Sequence, residues 1–590
     1  MTMQLWQPHT PAPAEAASST TVQVGDVTVE VGATREGLDV TVTTVADGVW
    51  VLEASGPATF RAEWRVPAVE VTGFWTPDSG AQRWLPPSWR KPKTTSLALG
   101  APVVSLVGTS DANVCTVAVA ESVSRVRLGG GLIEETGEYL FTVEHEGEAF
   151  RLRIDLSNRL FSAALADVAT WWAEGQALPD MPGAARLPAY STWYSLHQEV
   201  GEENVELQAR LARELGCELI IVDDGWQTAD RNRGYAYCGD WEPNLTTFPD
   251  MASHVKRVHD LGMAYMLWYA IPFVGKENGA FARFEDKLLR YADHMDAGVL
   301  DPRYPDVRAY VIDRLAQSVE LWDMDGLKID FVDWFAVEDA PPFKEGMDCA
   351  ETSEGTRRLL HELDARLRRT RPDVMIEHRQ PYTSPGLWPY ASMVRAVDCP
   401  LSPQENRQRT VDLRLTAGPL AVHADMIMWH PAEPPEQVAV HLINVLFAVP
   451  QISVDLSAQS AAQREALEFW LGIFRHYLNT LQHGVFEPAR PEIGYPLVRA
   501  YDDQTMVIAR YAPVPVEVPA SGWRELLIAN ADPDSRVILL GQEAEEVRAT
   551  VHDCRGELVS ATTLRLDTGT SLVTVPMGGL LRLHRRTEEE

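Results

Sequence analysis

Cysteine is scarce and scattered. Six cysteines, at 115, 217, 238, 349, 399 and 554, are spread through 590 residues with no CxxC pair. Thiols so few and so far apart exclude a disulfide framework and a zinc ribbon. Positive charge is also short. Against 84 Asp and Glu stand 52 Lys and Arg, a formal net charge of −32. A surface that acidic repels phosphate, so nucleic acid and anionic membranes are not expected partners, whereas a neutral substrate is well suited. No apolar run reaches the roughly 18 residues of a membrane-spanning helix. Residues 1–17 lack the basic segment and apolar core of a secretory signal. With free thiols, this gives the expectation of a cytoplasmic protein. There is no repeat of fixed period, no Gly-rich loop to cradle phosphate and no Ser in a GxSxG elbow.

What is present reads as a folded chain. Hydrophobic residues make up 45% and charged residues 23%, which removes the disordered and low-complexity classes. The length allows about four domains, or one large barrel with satellites. Residues 1–162 alternate apolar and polar side chains between Gly, Asp and Pro breaks, the pattern of an N-terminal β-sandwich. A helical linker over 163–186 carries Trp171 and Trp172.

From 187 to 482 short apolar strands alternate with amphipathic helices. Strands are expected at 189–196, 219–224, 264–270, 326–331, 374–378, 393–398, 420–428 and 451–456. Helices are expected at 203–215, 307–321, 355–369, 404–415 and 461–478. Eight such units predict a (β/α)8 barrel. Residues 483–590 return to strands and predict a C-terminal antiparallel β-domain, with Glu588 to Glu590 as an acidic tail.

A barrel of this kind carries its chemistry at the C-terminal ends of its strands. There the sequence places Trp193, Asp223, Asp224, Trp226, Trp268, Lys328, Asp330, Asp333, Arg379 and Asp398, a rim of carboxylates and indoles. Glycoside cleavage needs one carboxylate as nucleophile or base and a second as acid. Asp330 fits the nucleophile: it ends a buried strand, and Lys328 shares its face two residues earlier, keeping it ionised. Asp398, two strands further round, fits the acid/base. Asp223 and Asp224 suit two sugar hydroxyls, and Trp193, Trp226, Trp268, Asp333 and Arg379 complete the candidate sugar contacts. No cofactor is called for. His423, Asp425 and His430 offer a weak metal alternative without zinc-site spacing.

Several segments recur in a familiar order. They are Trp193-Tyr194-Ser195, Asp223-Asp224-Gly225-Trp226, Gly239-Asp240-Trp241 with Asn244 and Phe248-Pro249, Val299-Leu300-Asp301-Pro302 and Lys328-Ile329-Asp330. The chain resembles the melibiase-type α-galactosidases, family 36 of glycoside hydrolase clan D. That resemblance implies a retaining exo-α-galactosidase acting on small glycosides without metal or cofactor. Asp330 would be the nucleophile and Asp398 the acid/base. Asp223 and Asp224 would bind the axial 4-hydroxyl and the 6-hydroxyl, and Lys328 the sugar. It also implies an oligomeric habit, though the sequence locates no interface. Retention requires carboxyl groups about 5–6 Å apart, and an acid with a raised pKa before the first step.

The sequence departs from the family at Ile376-Glu377-His378-Arg379-Gln380-Pro381, where a Cys and Gly-rich stretch is usual. It departs also at Phe331-Val332-Asp333-Trp334 and Ala396-Val397-Asp398-Cys399-Pro400. Another α-linked sugar is therefore an alternative: an arabinopyranoside, an N-acetylgalactosaminide, or an acidic or sulfonated glycoside held by Arg379 with His378. A non-catalytic carbohydrate-binding protein on the same fold is a further one.

Overall fold

The computed structural model describes residues 16–585 apart from Ser79 and Ala81. The stretch before residue 16 and the acidic tail at 588–590 lie outside the described residues. The alternating N-terminal sequence forms a ten-stranded antiparallel sheet. Its spine is two long strands, Val49–Pro67 and Glu138–Asp155, paired along nearly their whole length. Their inward faces supply stacked pairs, Phe60 with Phe150 and Trp64 with Phe141, to a buried core. The helix Phe161–Ala173 and a short 3-10 helix, Gly183–Arg186, lead on to the barrel.

Eight parallel strands follow: β1 Ala189–Ser191, β2 Leu219–Val222, β3 Ala264–Ala270, β4 Gly326–Asp330, β5 Met375–Arg379, β6 Met393–Arg395, β7 Ala421–His423 and β8 Gln451–Ile452. Their order around the sheet is their order in the chain, and β8 pairs with β1. Parallel bridges from His423 to Val449 and from Ile427 to Ile452 join the last two strands. Strands covered on both faces read as continuous apolar runs rather than alternation. Leu219–Val222 and Gly326–Asp330 are buried throughout. Helices Glu202–Glu214, Pro305–Trp322, Thr352–Thr370, Pro403–Arg414 and Ala461–His476 lie within a few residues of expectation.

Several strands are shorter than the sequence predicts. β1 stops at Ser191, where the chain turns into the helix Trp193–Leu196. β6, β7 and β8 likewise end three to five residues early. Beyond these ends side chains take over the backbone N–H groups that a ladder would use. Ser453 Oγ accepts from Tyr194 N–H at 2.9 Å, Gln380 Oε1 from Val397 N–H at 3.2 Å, and Asn406 Oδ1 from Asp425 N–H at 3.0 Å.

The C-terminal strands form a seven-stranded sheet and a three-stranded one around a core that includes Trp523 and Leu526. Not all pairs are antiparallel. Thr505–Arg510 runs parallel to Glu525–Asn530, and Val516–Val518 to Arg536–Gly541.

One buried carboxylate ties the three regions together. Asp412, on a barrel helix, accepts from Trp75 Nε1 at 2.9 Å and from Tyr495 Oη at 2.5 Å, and it pairs with Arg83. Burial pushes its pKa up to about 6, against the pull of Arg83. Breaking a buried ion pair by removing one partner costs about 3–5 kcal/mol. Asp412→Ala should therefore lower the thermal unfolding midpoint strongly, whereas Asp412→Asn should lower it less; differential scanning calorimetry separates the two.

Candidate active site

The barrel interior is a polar column that rises to the C-terminal strand ends. Its lower layer holds Glu377, His423 and Gln451, all fully buried. Gln451 Nε2 donates to Glu377 and to His423 Nδ1, and His423 Nε2 donates to the Ala185 carbonyl at 2.7 Å. Burial pushes His423 down to about 4, so its ring is neutral.

Above it lies Arg395, 1% exposed. Its Nη1 donates to Asp425 Oδ1 at 2.6 Å and to Asp398 Oδ1 at 3.0 Å, and its Nε lies 3.8 Å from Glu377 Oε1. Asp425 also accepts from Cys399 N–H at 2.6 Å and Tyr194 Oη at 3.1 Å. Burial outweighs the pull of Arg395 and lifts Asp425 to about 6. The residues behind the metal alternative thus have protein partners: His423 and Asp425 as described, and His430 Nδ1 accepts from Ala432 N–H.

Asp330 ends β4. Its Oδ1 accepts three hydrogen bonds, from Arg379 Nε at 2.6 Å, Tyr382 Oη at 2.9 Å and Phe331 N–H at 2.7 Å. Its Oδ2 accepts one, from Trp268 Nε1 at 3.0 Å. Burial disfavours its charge, but Arg379, Lys328 and Arg395 together hold it well below the usual carboxylate range. Phe331 turns the chain at φ 63°, and the Arg379 guanidinium lies 5.2 Å over its ring.

Lys328 Nζ donates to Asp223 Oδ2. Asp224 accepts from Gln198 Nε2 and Gln227 Nε2, each at 2.7 Å, and burial lifts it to about 6. Gly225 makes this turn possible. Its φ is +113°, and a Cβ there would come within 2.6 Å of Gln198 Cα.

Most of the expected residues therefore converge. Trp268 and Arg379 hold Asp330, Lys328 pairs with Asp223 and sits opposite Trp268 on the neighbouring strand, and Arg395 holds Asp398. Asp333 stands half-buried beside Arg379 and Asp330, and burial raises its pKa. Trp193 packs edge-on to His197 and under Arg233. Trp226 does not reach the site. Its side chain is fully buried among Trp241, Tyr269 and Trp322, and its Nε1 holds the Trp268 carbonyl at 3.0 Å. It supports the strand behind Trp268. His378 is buried too and cannot join Arg379 in holding an acidic sugar.

The expectation of a raised pKa at the acid/base also needs correction. Asp398 is half exposed, and although burial raises its pKa, Arg395 prevails and holds it below the usual value. The sequence reading omits Tyr382 and Arg395 and weighs Asp425 only for a metal, because nothing in their spacing shows that Arg395 and Asp425 meet.

Residues 188–377 match the Melibiase family model. Over those residues, the first part of the barrel, this chain is similar to the melibiases. Curated relatives include α-galactosidase 2 of Pediococcus pentosaceus, 27% identical over 157 residues, or 25% of this chain and 22% of that protein. Another is α-galactosidase AgaA of Geobacillus stearothermophilus, 27% identical over 148 residues, or 23% and 20%. The aligned stretch thus spans about a fifth of these relatives' length. Among solved structures, an α-galactosidase from Lactobacillus brevis superposes with a TM-score of 0.65 at 16% identity, covering 98% of this chain and 84% of that one. A variant of the Geobacillus AgaA in complex with raffinose superposes at 0.61 and 13% identity, covering 97% and 85%. The fold is therefore shared well beyond the aligned sequence.

The depressed pKa of Asp330 gives a stability prediction. A carboxyl lowered on folding contributes stability above its unfolded value, near 3.9, and loses it as pH falls through the folded value. Arg379→Ala removes the closest cation and raises the folded value. Acid unfolding, followed by tryptophan fluorescence, should then begin at higher pH than in the wild type.

Proposed function

We propose that this protein is a retaining exo-α-glycosidase that hydrolyses terminal α-galactosides of small oligosaccharides. The observation that carries the reading is the asymmetric hold on Asp330, within a barrel of the melibiase family. Three donors fix Oδ1, while Oδ2 accepts only the Trp268 indole. Oδ2 is the oxygen free to attack the anomeric carbon. The carboxylate is kept ionised by surrounding cations and oriented before substrate arrives. Asp398 delivers a proton to the leaving glycosidic oxygen as the bond to Asp330 forms. It then takes a proton from the water that cleaves the glycosyl ester. Asp223 and Asp224, braced by Lys328, Gln198 and Gln227, accept from sugar hydroxyls.

The Arg395 contact sets the pH dependence. It favours ionised Asp398, which suits the base step and makes the acid form scarce at neutral pH. Arg379 bonds Asp330 and the Gln380 carbonyl, so an acidic sugar would compete with the nucleophile for it. This favours a neutral glycoside. We also propose a cytoplasmic location, which the six free thiols support.

The test begins with nitrophenyl glycosides. Asp330→Ala should reduce nitrophenyl α-galactoside cleavage by at least about 10⁴-fold, and the product formed first, followed by NMR, should keep the α configuration. A β product, or full activity in the variant, overturns the reading. The acid role has its own signature. With a poor leaving group, kcat/KM should fall as pH rises above the carboxylate range. With a dinitrophenyl leaving group, which needs no proton, it should stay level, and Asp398→Ala should cost far less.

A further inference from the structure

The lower end of the barrel, away from the candidate carboxylates, carries a second polar feature. A cleft of about 700 Å3 lies between the helix Phe161–Ala173, the segment 414–422 that enters β7, and the segment 482–487. Alkyl side chains make much of its wall, among them Ala163, Ala166, Leu178 and Leu420. Arg186 and Arg414 also line it.

These two arginines are unusual in a chain with 84 Asp and Glu. Arg186 donates to the Pro419 carbonyl at 2.7 Å and reaches Gln482 Oε1 at 3.5 Å. Arg414 donates to the Phe447 carbonyl at 2.6 Å and lies 4.3 Å over the Phe486 ring. Neither forms an ion pair with any carboxylate among the described residues. The two acidic residues on the cleft wall are engaged elsewhere. Asp167 pairs with Arg159, and Glu487 with Arg499 and Tyr501. His483, on the same wall, is pushed down by burial and by both arginines. Burial lowers both guanidinium pKa values, and Arg186 adds to the effect on Arg414. Two neighbouring half-buried cations without a carboxylate partner repel one another, and an anion in the cleft would relieve both costs.

We propose that this cleft binds a small organic carboxylate with an apolar tail. The guanidinium groups take the carboxylate, which suits their planar donors. The alkyl wall takes the tail, whereas inorganic phosphate would leave that wall against water. The site is separate from the proposed glycosidase chemistry, and its test does not rely on that reading.

The full chain is titrated calorimetrically with hexanoate, acetate and 1-hexanol. Hexanoate should saturate one site and bind at least about tenfold more tightly than acetate, which lacks the tail, or hexanol, which lacks the charge. Arg186→Gln and Arg414→Gln should each weaken hexanoate at least about tenfold, with circular dichroism and the melting temperature showing a folded chain. If Arg414→Gln unfolds, Arg186→Gln decides alone, because it lies in a short surface helix. No saturation at tens of millimolar, equal binding of hexanol, or unchanged affinity in Arg186→Gln overturns the proposal. So does concentration-dependent self-association lost in Arg186→Gln without hexanoate binding, which would assign the arginines to a second copy of this chain.

Discussion

The structure turns on a guanidinium placed inside a barrel. Arg395 is almost wholly excluded from solvent, and a charge there is tolerated only with carboxylates around it. Glu377 provides one from β5, Asp398 one from the loop after β6 and Asp425 one from the loop after β7. Lys328 and Asp223 repeat the device between β4 and β2. Arg395 and Lys328 find partners that follow or lie on other strands, so the barrel must be closed before these buried cations are satisfied. That mutual dependence gives the rim its rigidity, because a carboxylate cannot swing away without leaving a buried cation behind. It also explains why neighbouring carboxylates differ. Asp330 sits among three cations and stays ionised, whereas Asp425 and Asp224, under greater desolvation relative to their partners, are lifted to about 6.

The flanking β-regions contribute to this arrangement. Gln380, which follows β5, donates to the Pro77 carbonyl of the N-terminal region and accepts from Val397 N–H one residue before Asp398. Ser384 donates to the Ser122 carbonyl at 2.6 Å, and Arg125 reaches the carbonyl of Val337 in the loop after β4. The loops that follow Asp330 and Arg379, and the loop that carries Asp398, are thus braced from outside the barrel. Asp412 serves the same end with a single buried carboxylate shared by all three regions.

Much of this was legible in the residues. The alternation before residue 160, the eight apolar strands and the capped helices between them follow local periodicity, which packing reinforces rather than overrides. Ser402 and Ser460 cap their helices by accepting from the N–H groups of Glu405 and Gln463. The Asp-Asp-Gly-Trp and Lys-Ile-Asp segments likewise declared their carboxylates, because a polar residue ending a buried strand has few other uses. Trp226 misled for the converse reason: an indole beside two rim carboxylates looks the same in sequence whether it faces the site or the core.

Tertiary structure decided the rest. Strand ends were overestimated because side chains from distant segments, Ser453, Gln380 and Asn406, capture the backbone groups there. The direction of Asp398's pKa shift depends on Arg395, three residues away but set by the barrel between it and Asp425. Tyr382 meets Asp330 across 52 residues, and Arg186 and Arg414 line one cleft with no ion pair to a carboxylate among the described residues. Sequence patterns report which face of an element is apolar, since that depends on near neighbours. Which charges meet, and which are left without a partner, depends on how the strands close around a common axis, and no local pattern records it.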